Sequence, residues 1–170
     1  MDGGKYMTIT EVGQLLGDII AAYMSLDPER VILKDEGFDG PKDDQVYVLI
    51  EYEDDKALAV GSEVNMATGL ETSHYNAFAN FTIEVISKNR DATDRYPEVL
   101  MALQSVAGQQ EAELHNVAFF RGQPLNLSAI EGSGSLRRWH IPVIVSYMQT
   151  KTATAPMISP TLTEIKVEAR

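Results

Sequence analysis

Residues 136–149 read LRRWHIPVIVSYMQ, and this stretch decides the fold. Its odd positions are Trp139, Ile141, Val143, Val145 and Tyr147, all apolar, with Ile141, Val143 and Val145 β-branched. A period of two held this long puts one row of large side chains on one face of a single strand. The row includes the only Trp of the chain. The odd face is expected to meet the core of a central strand. The even face, Arg138, His140, Pro142, Ile144, Ser146 and Met148, is mixed, and is either wet or turned to a partner. Pro142 has no N–H for a ladder, so the strand is expected to lie at an edge there or to be bulged.

Working outward, EGSGS at 131–135 and the run 124–130 predict a hairpin feeding this strand. A short strand is expected at 116–120. After Gln149 the chain turns Thr- and Ala-rich, with Pro156 and Pro160, and then alternates again at 161–168 (TLTEIKVE). This predicts an extended C-terminal segment, 149–170, ending in a last strand with Ile165 and Val167 on one face. Upstream, 76–88 predicts a strand with Phe81, Ile83 and Val85 inward. Residues 45–53 predict another, with Val46, Val48, Ile50 and Tyr52 on one face and Glu51 and Glu53 on the other. RVILK at 30–34 predicts a short one.

Between two of these strands, 54–75 shows little period and carries Gly61 and Gly69. A connection of about twenty residues inside a compact domain is functional or disordered. Residues 60–66 fit one half of a projecting hairpin, an arm that touches a neighbour; plain disorder is the other reading. Residues 34–44 (KDEGFDGPKDD) form an acidic loop whose spacing does not match an EF-hand.

Two helices are expected. Thr8 and Glu11 have capping-box spacing, and Ile9, Val12, Leu15, Leu16, Ile19, Ile20 and Tyr23 define one apolar face. Asp27-Pro28 is expected to end that helix. Gly13 and Gly17 permit close backbone approach to a sheet or a neighbouring chain, or are simply tolerated at an exposed position. A second helix is expected over 91–109, with Tyr96, Val99, Leu100, Leu103 and Val106 as its stripe and Pro97 inside its first two turns. The fold class is therefore α+β: a mostly antiparallel or mixed sheet, two main helices on one face, and a long projecting loop or hairpin. At 170 residues a single domain is expected, with 1–7 as a flexible arm.

The composition is that of a globular protein, 44% hydrophobic and 23% charged. No apolar run reaches the roughly 18 residues of a membrane span. With no Cys there is no disulfide framework, no thiolate nucleophile and no Cys-based zinc site. Residues 1–71 hold 5 Lys/Arg and 16 Asp/Glu, which accounts for the whole net charge of −11. One reading is a solvated acidic surface; the other is a wall facing a polyanion that must not stick. A protein that grips a duplex should instead be basic.

No residue set names a reaction. His74, His115 and His140 lack metal-ligand spacing, the serines lack a nucleophile-elbow context, and Gly132 and Gly134 lie in a turn between strands. His140 reads as a structural or interface residue. Arg137 and Arg138 either grip an acidic partner or are solvated. No catalysis, cofactor or metal is expected.

The order of parts now carries a resemblance. An N-terminal amphipathic helix is followed by a strand pair ending QVYVLIEY, then by NFTIEVISKNRDATDRYPEVLMAL and, late in the chain, RRWHIPVIVSYMQ. This order resembles the neck or tail-terminator proteins of tailed bacteriophages with long tails. The matching marks are a strand feeding a helix through a polar turn, here 87–94, and a late alternating strand opening with Arg, here 138–147. The resemblance implies a structural virion protein, present in the host cytoplasm during assembly. It would form a homo-hexameric ring that caps the tail tube and joins it to the head-side connector protein, with the sheath as a further partner. DNA would pass through the lumen without specific binding. Subunit or partner contacts are expected at Gly61, Glu63, Met66, Gly69, Arg137, Arg138, Ile165 and Val167. The competing classes are another phage tail-completion factor or a protein-binding module, and a small carboxylate enzyme.

Overall fold

The computed structural model describes residues 7–34, 38–128 and 136–155. Helix α1 (Ile9–Met24) leads into a 3-10 turn at Pro28–Arg30 and strand β1 (Val31–Leu33). Strands β2 (Tyr47–Asn65) and β3 (Leu70–Ser87) are followed by α2 (Asp91–Gln104) and α3 (Val106–Leu114), then β4 (Ala118–Arg121), β5 (Leu125–Asn126) and β6 (Arg137–Thr154). Among the described residues the mixed sheet has six strands and runs β1-β2-β3-β6-β4, with β5 also paired to β6. Only β1 and β2 pair in parallel among the described residues.

The odd face of β6 is the core face: Ile141, Val143, Val145 and Tyr147 are buried beside Phe81, Ile83 and Val85 of β3. Leu16 and Ile20 of α1 and Val99 and Leu103 of α2 join the same cluster. Trp139 is partly buried; it stacks on Tyr96 at 3.8 Å, and its Nε1 donates to Thr93 Oγ1 at 3.3 Å. At Gly13 and Gly17 α1 lies close against the sheet. A Cβ on either would meet Leu33 at 3.2 Å or Val31 at 3.4 Å.

Several expectations are corrected. Pro142 is not at a bulge, since β6 pairs with β3 without a register break, Pro142 opposite Thr82; on its other side β6 is, among the described residues, locally an edge, as one of the two expected alternatives had it. Its carbonyl accepts from Gly122 N at 2.7 Å, so its nitrogen points to the same side, where β4 has ended and β5 has not begun. The missing N–H thus falls in a gap between two short strands. Tyr23, expected in the core, is exposed. α1 stops at Met24, ahead of Asp27-Pro28, because Ser25 turns left-handed (φ 52°) and the chain closes through Leu26 N to Ala21 O.

The second helix breaks in two. Ser105 is extended, donates to Ala102 O at 2.8 Å, and caps α3 by accepting from Gly108 N at 3.0 Å. A Cβ on Gly108 would lie 2.3 Å from that same carbonyl, so the corner needs glycine. Val106, expected in the stripe, faces out. Met7 is not loose: it is buried, and its carbonyl accepts from Gln149 at 2.8 Å. The C-terminal extended segment starts later than expected, since β6 runs on to Thr154. The expected last strand, with Ile165 and Val167, and the turn at 131–135 lie outside the described residues.

Candidate functional site: a three-stranded arm

β2 and β3 run far past the helices and close on a tip at 66–69, pairing Asn65 with Leu70. The tip follows from its residues. Asn65 Oδ1 accepts from Ala67 N at 3.0 Å and Thr68 N at 3.2 Å, and Gly69 takes φ 67°. β6 accompanies the hairpin to its end, pairing Thr154 with Leu70. Among the described residues the arm therefore has three strands. At about 3.3 Å per residue, β2 from Asp54 to Asn65 spans roughly 40 Å.

Every residue from 53 to 68 is exposed. Leu58, Val60, Val64, Met66 and Leu70 place apolar surface in solvent, Val60 at 74% and Met66 at 88% exposure. On the sheet face away from the helices, beside the root of the arm, Phe120, Ile144 and Met148 are exposed as well. Apolar surface collected in one region of a molecule marks a contact site.

The root of the arm is built around Asp55. A bulge between Tyr52 and Asp54 shifts the phase of β2, so that Asp55, paired with Ala79, joins the core side. Its carboxylate accepts from Tyr52 at 3.0 Å, from Tyr147 at 3.3 Å and from Tyr75. The Tyr75 and Tyr52 hydroxyls hold the Asp55 carboxyl below the usual range. Burial, then the charge of Asp55, pushes Tyr147 well up; the bond to Asp55 raises Tyr75, and burial raises Tyr52. No proton is poised to move near neutrality. The cluster ties the three arm strands together where the helices stop supporting them.

Polar pairs on the far face also consume charge internally. Arg138 Nη2 donates to both oxygens of buried Glu84, at 3.1 and 3.0 Å. Thr82 Oγ1 donates to Glu53 and lies 3.2 Å from His140 Nε2. Asn80 donates to Asp54 at 2.6 Å, and Lys34 pairs with Glu51. Arg30 grips Asp43 through two bonds, 3.0 and 2.7 Å, and stacks over Tyr47; this, with Gln45 N–H, holds Asp43 down to about 2. Part of the acidic excess of the first 71 residues is thus structural.

Of the residues singled out in the sequence, Gly61, Glu63, Met66 and Gly69 come together on the outer arm. Glu63 lies 3.7 Å from His74. Arg137 is exposed at the start of β6, at the far end from the tip. Arg138 serves the ion pair with Glu84 and is a structural residue of the sheet. Ile165 and Val167 lie outside the described residues. The Asp55 cluster and the outer part of β6 escaped the sequence reading; the signal for the second was the unbroken run of residues without Gly or Pro from 143 to 155. Among the described residues no group of three His, Cys, Asp or Glu side chains is placed to hold a metal ion, and no helix is long and apolar enough to cross a membrane.

No protein-family model matches the chain, and no curated protein matches it in sequence. Among solved structures the fold is similar to the sheath/tube terminator of an extracellular contractile injection system, PVC, in its extended state. The TM-score is 0.54 and the identity 18%; the likeness covers 97% of this chain and spans 65% of that one.

Proposed function

We propose that this chain is a structural tail-terminator subunit. Six copies form a ring that caps the tube of a phage-type tail and joins it to the head-side connector, with the sheath as a further neighbour where the tail contracts. The arm is the observation that carries this reading. A long projection, apolar and exposed on β2 and at its tip, is suited to contact between copies. The similarity in fold to a sheath/tube terminator over almost the whole chain supports the same reading. Its role is mechanical, without catalysis, and DNA passes the ring without specific binding because an acidic surface leaves a polyanion mobile.

The test is tube capping. Added to polymerising tube subunits of its own particle, the protein is expected to stop growth and to appear in electron micrographs as a ring on one tube end. Tubes that grow unchecked, with no ring at either end, would contradict the assignment.

A further inference from the structure

The helical side of the molecule carries a second surface, separate from the arm. α1 and α3 pack with Gly108 against Ile19, where an added Cβ would lie 3.1 Å from the Ile19 side chain. The two helices leave between them a groove of about 690 Å³. Leu15 and Ile19 are buried along its floor, while Ala22 and Tyr23 are exposed in one wall. Val106 and Leu114, at the two ends of α3, stand out in solvent at 75% and 74% exposure. A groove of this size with an apolar floor between two helices is shaped to receive large side chains from another segment.

The charge around the groove has one sign. Asp18 of α1 and Glu111 of α3 are exposed, one from each helix that lines it. Asp18 accepts from Gln14 Nε2 at 3.1 Å, and among the described residues neither acid makes an ion pair. Residues 6–29 and 96–120, which include the whole of α1 and α3, contain no Lys or Arg. Arg95, the one base of α2, is taken up by Glu98 and by the Met24 carbonyl.

We propose that this groove holds a cationic amphipathic segment of another protein. One or two large apolar side chains of that segment sit between α1 and α3, and Lys or Arg beside them face Asp18 and Glu111. Opposite charge favours such a segment, and like charge turns acidic segments away. It turns away the outer arm of a second copy, because residues 59–71 carry Glu63 and Glu71 and no base. The groove and the arm therefore serve different partners, and this docking does not depend on the ring.

The probe is a short fluorescein-labelled peptide of Leu and Lys with its Leu at helical spacing. Its binding to the full-length protein is read by anisotropy, beside Leu/Glu and Ser/Lys peptides of the same length. D18N/E111Q removes the two charges, and A22Q puts a longer side chain into the groove. D39N/D44N removes the same charge from positions outside it. All five substituted positions are exposed, and thermal melts show that each variant is folded.

The Leu/Lys peptide is expected to bind the intact chain, and the other two peptides are not. D18N/E111Q should weaken binding by about tenfold, two partly exposed charges together. A22Q should weaken it by at least about threefold, and D39N/D44N by less than about twofold. No binding to the intact chain, as when the chain's own residues fill the groove, would overturn the proposal. Equal losses in D18N/E111Q and D39N/D44N would overturn it too, since they mark general attraction to an acidic protein. Binding that A22Q leaves unchanged would place the peptide elsewhere and overturn it as well.

Discussion

The Tyr147 hydroxyl, from β6, donates at 3.3 Å to Asp55, from β2, bridging residues 92 positions apart. Tyr75, from the strand between them, reaches the same oxygen. Replacing Asp55 with Ala leaves the buried Tyr147 hydroxyl without its partner, a costlier event than losing an exposed bond. Hydrogen exchange is expected to quicken at Asp54–Asn65 by a few-fold to about tenfold, with the core amides of Ile83 and Val143 unchanged. Uniform quickening across the sheet would show that the cluster supports the core and not the arm.

Acid should act on the same place. The Asp55 carboxyl is held below its ordinary value, and Asp43 is held down to about 2 by Arg30. A group depressed in the folded state contributes its full stabilisation above its unfolded pKa, about 3.9 for Asp, and loses it as pH falls through the folded value. The arm root and the Arg30–Asp43 closure are therefore expected to be indifferent to pH between 5 and 7 and to loosen below about pH 4. Tyrosine fluorescence or exchange rates over that range check it; loosening at pH 6 would contradict the carboxylate assignment.

Core and arm should respond oppositely to truncation. Leu16 is fully buried between α1 and the sheet, and Leu16→Ala is expected to cost about 2–5 kcal/mol. Met66 is 88% exposed at the tip, and Met66→Ser is expected to stay within roughly 0.5 kcal/mol. Denaturant unfolding of both variants decides this; a large loss at Met66 would mean the tip packs within its own chain.

The corner between α2 and α3 offers a sharper case. An added methyl on Gly108 meets the Ala102 carbonyl at 2.3 Å, against backbone and not a flexible side chain. Gly108→Ala is expected to destabilise by about 1–3 kcal/mol, the range of overpacking, although alanine favours helices by about 1 kcal/mol over glycine. Thermal unfolding measures the sign.

The sheet was legible in the sequence because its strands alternate against a helical layer, as Val143, Phe81 and Ile50 show. The capping box at Thr8 and Glu11 was legible because both side chains act within one turn. The break at Ser105 was hidden, since the apolar period carries on through Val106 while a local hydroxyl bond redirects the backbone. The arm was read as a projecting hairpin but not as three strands. Its partners join through long-range pairing, Leu70 with Thr154, and two bulges in β2 scramble the period of two that would have revealed it. Nothing local in the sequence marks Asp55 as the meeting point of Tyr52, Tyr75 and Tyr147.

On the proposed reading the arm assembles copies and does not hold one copy together. Light scattering on the intact chain and on a variant lacking residues 61–69 measures this most directly. A closed species of about 113 kDa is expected for the intact chain, six times 18.8 kDa, and a folded monomer with the same core unfolding transition for the variant. An intact chain that stays monomeric at every concentration, or a variant that still forms the full ring, would contradict it.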